Sequence, residues 1–68
     1  MKKFIERLIE MRNELNLSQL ELAKRIGVTS VCVSRWETGA RIPNAPSIIS
    51  LCKALNCSAD YLLGLSDE

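Results

Sequence analysis

The chain has 68 residues, enough for one small domain and not for two. It contains no histidine, and its cysteines, Cys32, Cys52 and Cys57, form no CxxC pair, so the usual zinc ligands are missing. No run approaches the roughly 18 apolar residues that a membrane span needs. With an odd number of cysteines and no signal peptide, this composition predicts a protein of a reducing cytoplasm that uses no metal or other cofactor.

The net charge of +1 hides an uneven distribution of charge along the chain. Residues 16–53 carry five basic and two acidic side chains, a net charge of +3. Residues 54–68 carry three acidic side chains and no basic one, a net charge of −3. If the partner is a polyanion, we expect it to meet the middle of the chain.

The first predicted helix follows from a single apolar stripe. The sequence is 47% hydrophobic with only 4% aromatic residues, which favours helix-on-helix packing over a sheet. We expect this helix to run from Lys2 to Leu15, because apolar residues recur there at helical spacing, namely Phe4, Leu8, Met11 and Leu15.

Two further helices are predicted between Ser18 and Gly39. Ser18, with Glu21 three residues later, has the pattern of a capping box before a helix over residues 19–26. The pattern turns four of its side chains inward, Leu20 only partly: Leu20, Leu22, Ala23 and Ile26.

Gly27 is suited to end that helix, and Thr29 to cap the next, over residues 30–38. Val33 and Trp36 form its predicted inner edge.

The last two predicted helices are marked by polar residues at their ends. Asn44 is a plausible cap for the fourth helix, and Pro46 suits its first turn because the missing N–H costs little there. Asn56 ends that helix. Ser58 caps a short fifth helix that reaches Leu63 and stops at Gly64.

Residues 18–39 carry the functional signal, because they place two short helices around the turn Gly27-Val28-Thr29. Such a pair is typical of a helix-turn-helix, whose second helix lies in the DNA major groove. From about Leu8 to Gly64 the sequence resembles the Cro/CI-type, or Xre, family of phage and bacterial repressors. The matching residues are Ser18-Gln19, Leu22-Ala23, Ile26-Gly27-Val28-Thr29, Val33-Ser34-Arg35-Trp36-Glu37, Gly39, Pro43, Ile48, Leu51, Ala54-Leu55, Ser58 and Asp60-Tyr61-Leu62-Leu63-Gly64.

The resemblance implies an all-α, five-helix, lambda-repressor-like DNA-binding domain over residues 1–68, with its helix-turn-helix core at residues 18–39. It implies sequence-specific binding of double-stranded DNA and no enzymatic activity. No nucleophile–base pair stands out in the sequence either, since there is no histidine. We expect a cytoplasmic regulator of bacterial or phage origin, most simply a repressor, with no membrane partner or evident small-molecule ligand.

The outer face of the third helix is expected to contact DNA bases. Its predicted base-contacting residues are Ser30, Val31, Ser34 and Arg35. For Val31 and Arg35 the alternatives are an ordinary surface valine and a phosphate contact or solvated charge. Phosphate contacts are predicted for Gln19, Thr29, Arg41 and Asn44, although Thr29 is first a cap and Asn44 is ambiguous between the two roles.

Arg12 and Glu37 match a family pair that forms a salt bridge between the first and third helices. We interpret the pair as architectural, the alternative being two exposed charges that contribute under about 1 kcal/mol. An exposed Cys32 would make docking sensitive to oxidation, but a half-buried structural thiol is the commoner case. Cys52 and Cys57 are expected to fill the core.

Dimerisation is expected because one such module buries only about 600–1,000 Å² on DNA. The apolar C-terminal segment suggests Leu63 and Leu65 for the twofold interface, with a palindromic operator as the DNA partner. The alternative is an antitoxin or other protein-interaction module of the same fold. That role needs a C-terminal segment to wrap its partner, and only four residues follow Gly64.

Overall fold

In the computed structural model, which describes residues 1–67, the described chain contains five α-helices and no strand. The helices are α1 (Lys2–Glu14), α2 (Gln19–Ile26), α3 (Ser30–Thr38), α4 (Ala45–Leu55) and α5 (Ala59–Leu63). The all-helical, five-helix prediction is therefore confirmed. The bounds of α2, α3 and α5 agree with the sequence prediction, and α1 ends one residue earlier than predicted.

Polar side chains begin every helix from α2 to α5. In each case the side-chain oxygen of the capping residue accepts a backbone N–H from the first helical turn, which would otherwise lack a partner. The four caps are Ser18, Thr29, Asn44 and Ser58. All four were predicted, because a cap depends only on residues three positions apart.

The capping box of α2 makes folding stability depend on pH. The Glu21 carboxylate accepts the Ser18 backbone N–H at 2.9 Å, and this bond lowers the pKa of Glu21. A carboxyl group with a lowered folded-state pKa stabilises the fold above its unfolded-state pKa. That contribution disappears as the pH falls through the folded-state value.

Glu21→Gln is therefore expected to be less stable than the wild type at neutral pH and to match it more closely in acid. Thermal unfolding at a series of pH values measures the difference between the two proteins. A difference that stays constant from neutral pH into the acid range would contradict the role given to the carboxylate.

The core is built from apolar side chains of all five helices and of the α1–α2 turn. Its buried members are Phe4, Leu8, Met11, Leu17, Leu22, Ala23, Val33, Trp36, Leu51, Leu55 and Leu62. Half-buried residues, Cys52 and Cys57 among them, pack around this cluster. Because α3 contributes two core residues and packs on both α1 and α2, its orientation is fixed by the core.

The structure corrects the predicted inner faces of α1 and α2 at two leucines. Leu15 lies beyond the end of α1 and is 47% exposed. The chain then turns at Asn16, whose φ of 56° is left-handed, and the buried Leu17 occupies the core position instead. Leu20 is 51% exposed, because α2 directs Leu22 and Ala23 inward.

A largely buried arginine fastens α5 and the segment after it to α1. The Arg7 guanidinium lies 4.0 Å from the centre of the Tyr61 ring and donates to the carbonyl oxygens of Tyr61 and Ser66. At Gly64 a Cβ atom would come within 2.5 Å of the Lys3 Cβ, so α5 approaches α1 more closely than a larger residue would allow. No local sequence signal predicts these contacts between α1 and α5.

Candidate nucleic-acid interface

α3 has an inner edge that packs in the core and an outer face that is accessible to solvent. Val33 is fully buried and Trp36 is 5% exposed, so these two side chains anchor the helix in the core. The outer face carries the four residues predicted to contact bases, Ser30, Val31, Ser34 and Arg35, which we call the α3 surface. Val31 and Arg35 are exposed and both serines are half-exposed. An apolar side chain such as Val31, 52% exposed, is therefore available to a partner.

Thr29 serves as the N-terminal cap of α3. Its hydroxyl oxygen accepts the Cys32 backbone N–H at 3.3 Å, and the hydroxyl lies 3.5 Å from the Cys32 Sγ. The contact with Thr29 lowers the pKa of the Cys32 thiol, and the positive charges of Arg35 and Arg41 act in the same direction. Thr29 is thus committed to the helix, and its phosphate contact stays a prediction.

The loop after α3 lies beside the α3 surface. Its Arg41 backbone N–H donates to the Arg35 carbonyl oxygen at 3.2 Å, which holds the loop against the end of the helix. Loop and helix enclose a cleft of about 510 Å³, whose walls include Arg35, Arg41 and Asn44. Asn44 also caps α4, accepting the Ser47 N–H at 3.0 Å. Two guanidinium groups therefore line one cleft, which favours an anionic partner.

Arg12 and Glu37 form a two-pronged ion pair between α1 and α3. The Arg12 Nε lies 2.7 Å from Glu37 Oε2, and Arg12 Nη2 lies 3.0 Å from Glu37 Oε1. Their side chains are only 13% and 6% exposed. The hydrogen bond to Glu37 raises the pKa of Arg12. Arg12 also donates to the Leu17 carbonyl oxygen at 2.8 Å, so it holds the α1–α2 turn as well.

Gln19 forms a hydrogen bond with this ion pair. The sequence analysis predicted the pair but not the contact with Gln19. Its amide Nε2 donates to Glu37 Oε1 at 3.1 Å, so one carboxylate holds partners from α1 and α2. The signal for this contact is weak, because 18 residues separate Gln19 from Glu37. Since the amide nitrogen carries two hydrogens, one stays available at the start of α2, where an anion is favoured.

The two residues predicted for the dimer interface lie at the end of α5 and just after it. Leu63 is half-buried and packs against the core, whereas Leu65 is 76% exposed. α5, which carries Leu63, packs mainly on α1 and α4.

The cysteines show no sign of a metal centre. Within residues 1–67 no group of three metal-ligating side chains is placed to hold an ion, and the cysteines are free thiols. Burial, with Cys52 as a neighbour, raises the pKa of the Cys57 thiol to about 11.

No described helix is long and apolar enough to cross a bilayer.

A family model described as helix-turn-helix matches residues 8–62, most of the chain. The chain belongs to this helix-turn-helix family, of the Cro/CI or Xre type. The match contains both the α3 surface and the Arg12–Glu37 pair. The family resemblance inferred over about Leu8 to Gly64 is thus confirmed.

Named members of the family include both a repressor and an activator of transcription. Repressor protein C2 of Salmonella phage P22 is 43% identical over 58 residues, which are 85% of this chain and 27% of that protein. The HTH-type transcriptional activator BcrR of Enterococcus faecalis is 34% identical over 61 residues, 90% of this chain and 30% of that protein. The chain therefore spans less than a third of either relative.

A solved structure of another family member has the same fold. The P22 c2 repressor in complex with synthetic operator 9T superposes with a TM-score of 0.84 at 41% identity, covering 87% of this chain and 89% of that one. The lambda-repressor-like helix-turn-helix fold predicted from the sequence is confirmed by this similarity.

Proposed function

We propose that this protein is a transcriptional repressor that binds double-stranded DNA sequence-specifically, as a homodimer, with α3 as its recognition helix. One observation carries the proposal: the α3 surface points outward on a helix that Val33 and Trp36 fix in the core. The family supports it, because the P22 c2 repressor, 41% identical, was solved with an operator. The protein would act as a cytoplasmic regulator of bacterial or phage origin and not as an enzyme.

Direct contact with bases is assigned to the α3 surface. Arg35 is exposed and long enough to pair with the O6 and N7 atoms of a guanine, the commonest specific contact in the major groove. Val31 offers its apolar side chain to a thymine methyl group. Ser30 and Ser34 can hydrogen-bond to a base edge or a phosphate. Sequence preference would therefore come mainly from Arg35 and Val31.

Backbone contacts are assigned to Gln19, Thr29, Arg41 and Asn44. These residues start α2, α3 and α4 or lie in the loop beside α3. Helix N-termini favour phosphate through their free N–H groups and positive dipole ends. Such contacts fix the register of a protein on the duplex and carry no direct sequence information.

Repression is favoured over activation by the relatives' names and identities. The P22 relative at 43% identity is named a repressor, and the activator is 34% identical. A domain bound to an operator can block access to a promoter without a second surface that contacts another protein. We therefore propose repression by occupancy of the operator.

A homodimer is proposed because one module of this size buries too little surface for tight binding alone. Leu63 and Leu65 remain the sequence-based prediction for its interface. The 76% exposure of Leu65 supports this, and the partial burial of Leu63 in its own core makes that residue the weaker member.

The decisive experiment is the selection of bound duplexes from a pool of random DNA at a fixed salt concentration. We expect one palindromic sequence to be enriched, with half-sites about one helical turn, roughly 34 Å, apart. A pool that stays random after several rounds would refute sequence-specific binding. An enriched half-site without a palindrome would refute only the dimer.

Replacing Arg35 by alanine should relax the sequence preference at one base pair of each half-site. It should also weaken binding to the selected duplex by about 1–3 kcal/mol. Gln19→Ala is the matched comparison, because a lost phosphate contact should weaken all duplexes alike. Titration of both variants against the selected duplex and a scrambled one measures the two effects. An R35A variant that keeps the full wild-type preference would exclude Arg35 as a base contact.

A further inference from the structure

Two of the three cysteines lie together at the end of α4. Cys52 is in the last turn of that helix, and Cys57 follows its terminal residue Asn56, whose φ of 55° is left-handed. Both thiols are free and half-buried, and both side chains pack against the core. The proposed contacts with DNA use neither of them.

The backbone fixes the distance between the two cysteines. The Asn56 and Cys57 N–H groups both donate to the Cys52 carbonyl oxygen, and the bond from Cys57 is 3.0 Å long. That bond keeps the two Cα atoms within about 7 Å, because only the short Cα–C, C–O and N–Cα bonds separate them from it. Disulfides join Cα atoms that are about 4.4–6.8 Å apart. The hydrogen bond therefore holds the two residues at a spacing that a disulfide can bridge.

The two thiols also lie close to each other. At helix ends of this Schellman type, the side chains at the positions of Cys52 and Cys57 commonly touch. The pKa of Cys57 is raised to about 11 by burial and, after it, by the neighbouring Cys52 thiol. Cys32 is placed differently, since it lies in the cleft beside α3 with Arg35 and Arg41.

We infer that Cys52 and Cys57 are a reversible dithiol–disulfide pair, which closes when small disulfides accumulate and then ties the end of α4 to the start of α5. The co-reactant is a low-molecular-weight disulfide such as oxidised glutathione. In a reducing compartment the pair stays open, and the disulfides that do form there are usually transient and catalytic or redox-sensing. Neither thiol is fully buried, so a small reagent has access to the pair.

Closure takes two steps of thiol–disulfide exchange. The thiolate of one cysteine attacks a sulfur of the small disulfide, which forms a mixed disulfide and releases one small thiolate that takes up a proton. The thiolate of the other cysteine then attacks the protein sulfur of the mixed disulfide and expels the second small thiol. The two protein thiols thereby lose two electrons and two protons, and one small disulfide becomes two small thiols.

Proximity outweighs the raised pKa of Cys57 in this closure. A pKa of about 11 lowers the thiolate fraction near neutral pH by about two to three orders of magnitude relative to an ordinary cysteine. A less acidic thiol gives a more nucleophilic thiolate, which recovers part of this loss. Well-oriented groups within one molecule reach effective concentrations on the order of 10⁵ M. The mixed disulfide should therefore close and not persist.

The test measures the equilibrium of the pair in buffers with graded ratios of reduced to oxidised glutathione. Cys32→Ser is the background, so that only two thiols remain, and circular dichroism confirms that it folds. Acid quenching and mass spectrometry separate the dithiol, the mixed disulfide and the closed form. The same chain in urea is the matched control, because it keeps the sequence spacing and loses the helix end.

We expect the closed form to be favoured at least about tenfold more in folded C32S than in the unfolded chain, since the fold already holds the two thiols together. By linkage, the disulfide must stabilise the fold by the same factor. A tenfold ratio corresponds to about 1.4 kcal/mol, so oxidised C32S should unfold at a higher urea concentration than reduced C32S. The variant that also carries Cys57→Ser should stop at the mixed disulfide.

Equal equilibria in the folded and unfolded chains would overturn the inference, because the fold would then contribute nothing to pairing. A mixed disulfide that accumulates in folded C32S without closing would overturn it as well, as would a lower urea midpoint after oxidation. None of these measurements involves DNA. Failure of the pair therefore leaves the proposed DNA binding untouched, and a protein that preferred no duplex could still close this disulfide.

Discussion

Replacing Trp36 by alanine is expected to leave most of the protein unfolded. The side chain is 5% exposed and, with Val33, attaches α3 to the core. Truncating a buried tryptophan typically costs about 3–5 kcal/mol, and the single core of a chain this short rarely supplies more than about 3–5 kcal/mol of stability. Urea unfolding followed by circular dichroism measures the loss.

Two variants on the same helix serve as controls for this result. Trp36→Phe keeps much of the apolar volume and should lose distinctly less stability. Val31→Ala truncates a side chain that is 52% exposed and should change stability by at most about 0.5 kcal/mol. If W36A unfolded at the same urea concentration as V31A, Trp36 would not anchor α3.

Removing Arg12 should destabilise the fold by about 3–5 kcal/mol, the cost of breaking a buried ion pair by deleting one partner. The Glu37 side chain is 6% exposed, so after Arg12→Ala its carboxylate would keep only the Gln19 amide as a polar partner. The Leu17 carbonyl oxygen would lose its hydrogen bond in the same step. Urea unfolding of R12A at neutral pH measures the loss.

The double variant Arg12→Met, Glu37→Leu separates the worth of the pair from the cost of an unpaired charge. Replacing both partners by apolar side chains of similar size is often close to neutral, so this variant should recover much of the stability lost in R12A. A loss below about 1 kcal/mol in R12A would mean that the pair behaves like an exposed one.

The elements of this fold that depend on neighbours in sequence could be predicted from sequence. A cap such as Ser18 or Asn44 acts three residues away, and the inner positions of α3 follow from helical spacing. For the same reason the α3 surface was correctly expected to be free of the core. Its roles on DNA remain predictions, because they concern a partner and not the fold.

Contacts between distant segments could not be predicted in this way. The apolar spacing of α1 includes Leu15, yet the left-handed turn at Asn16 substitutes Leu17 in the core. Arg7 donates hydrogen bonds to Tyr61 and Ser66, at sequence separations of 54 and 59 residues, and only the packing of α5 on α1 brings these residues together.

In the proposed complex, where Gln19 contacts a phosphate, its hydrogen bond to Glu37 would lower the entropic cost of docking on DNA. A free glutamine loses rotational freedom when it grips a phosphate, and fixing such a side chain costs about 0.5–1.5 kcal/mol. Here the amide is already oriented by a carboxylate that Arg12 holds in place. Much of the ordering is therefore completed during folding, and the entropic penalty left for association is smaller.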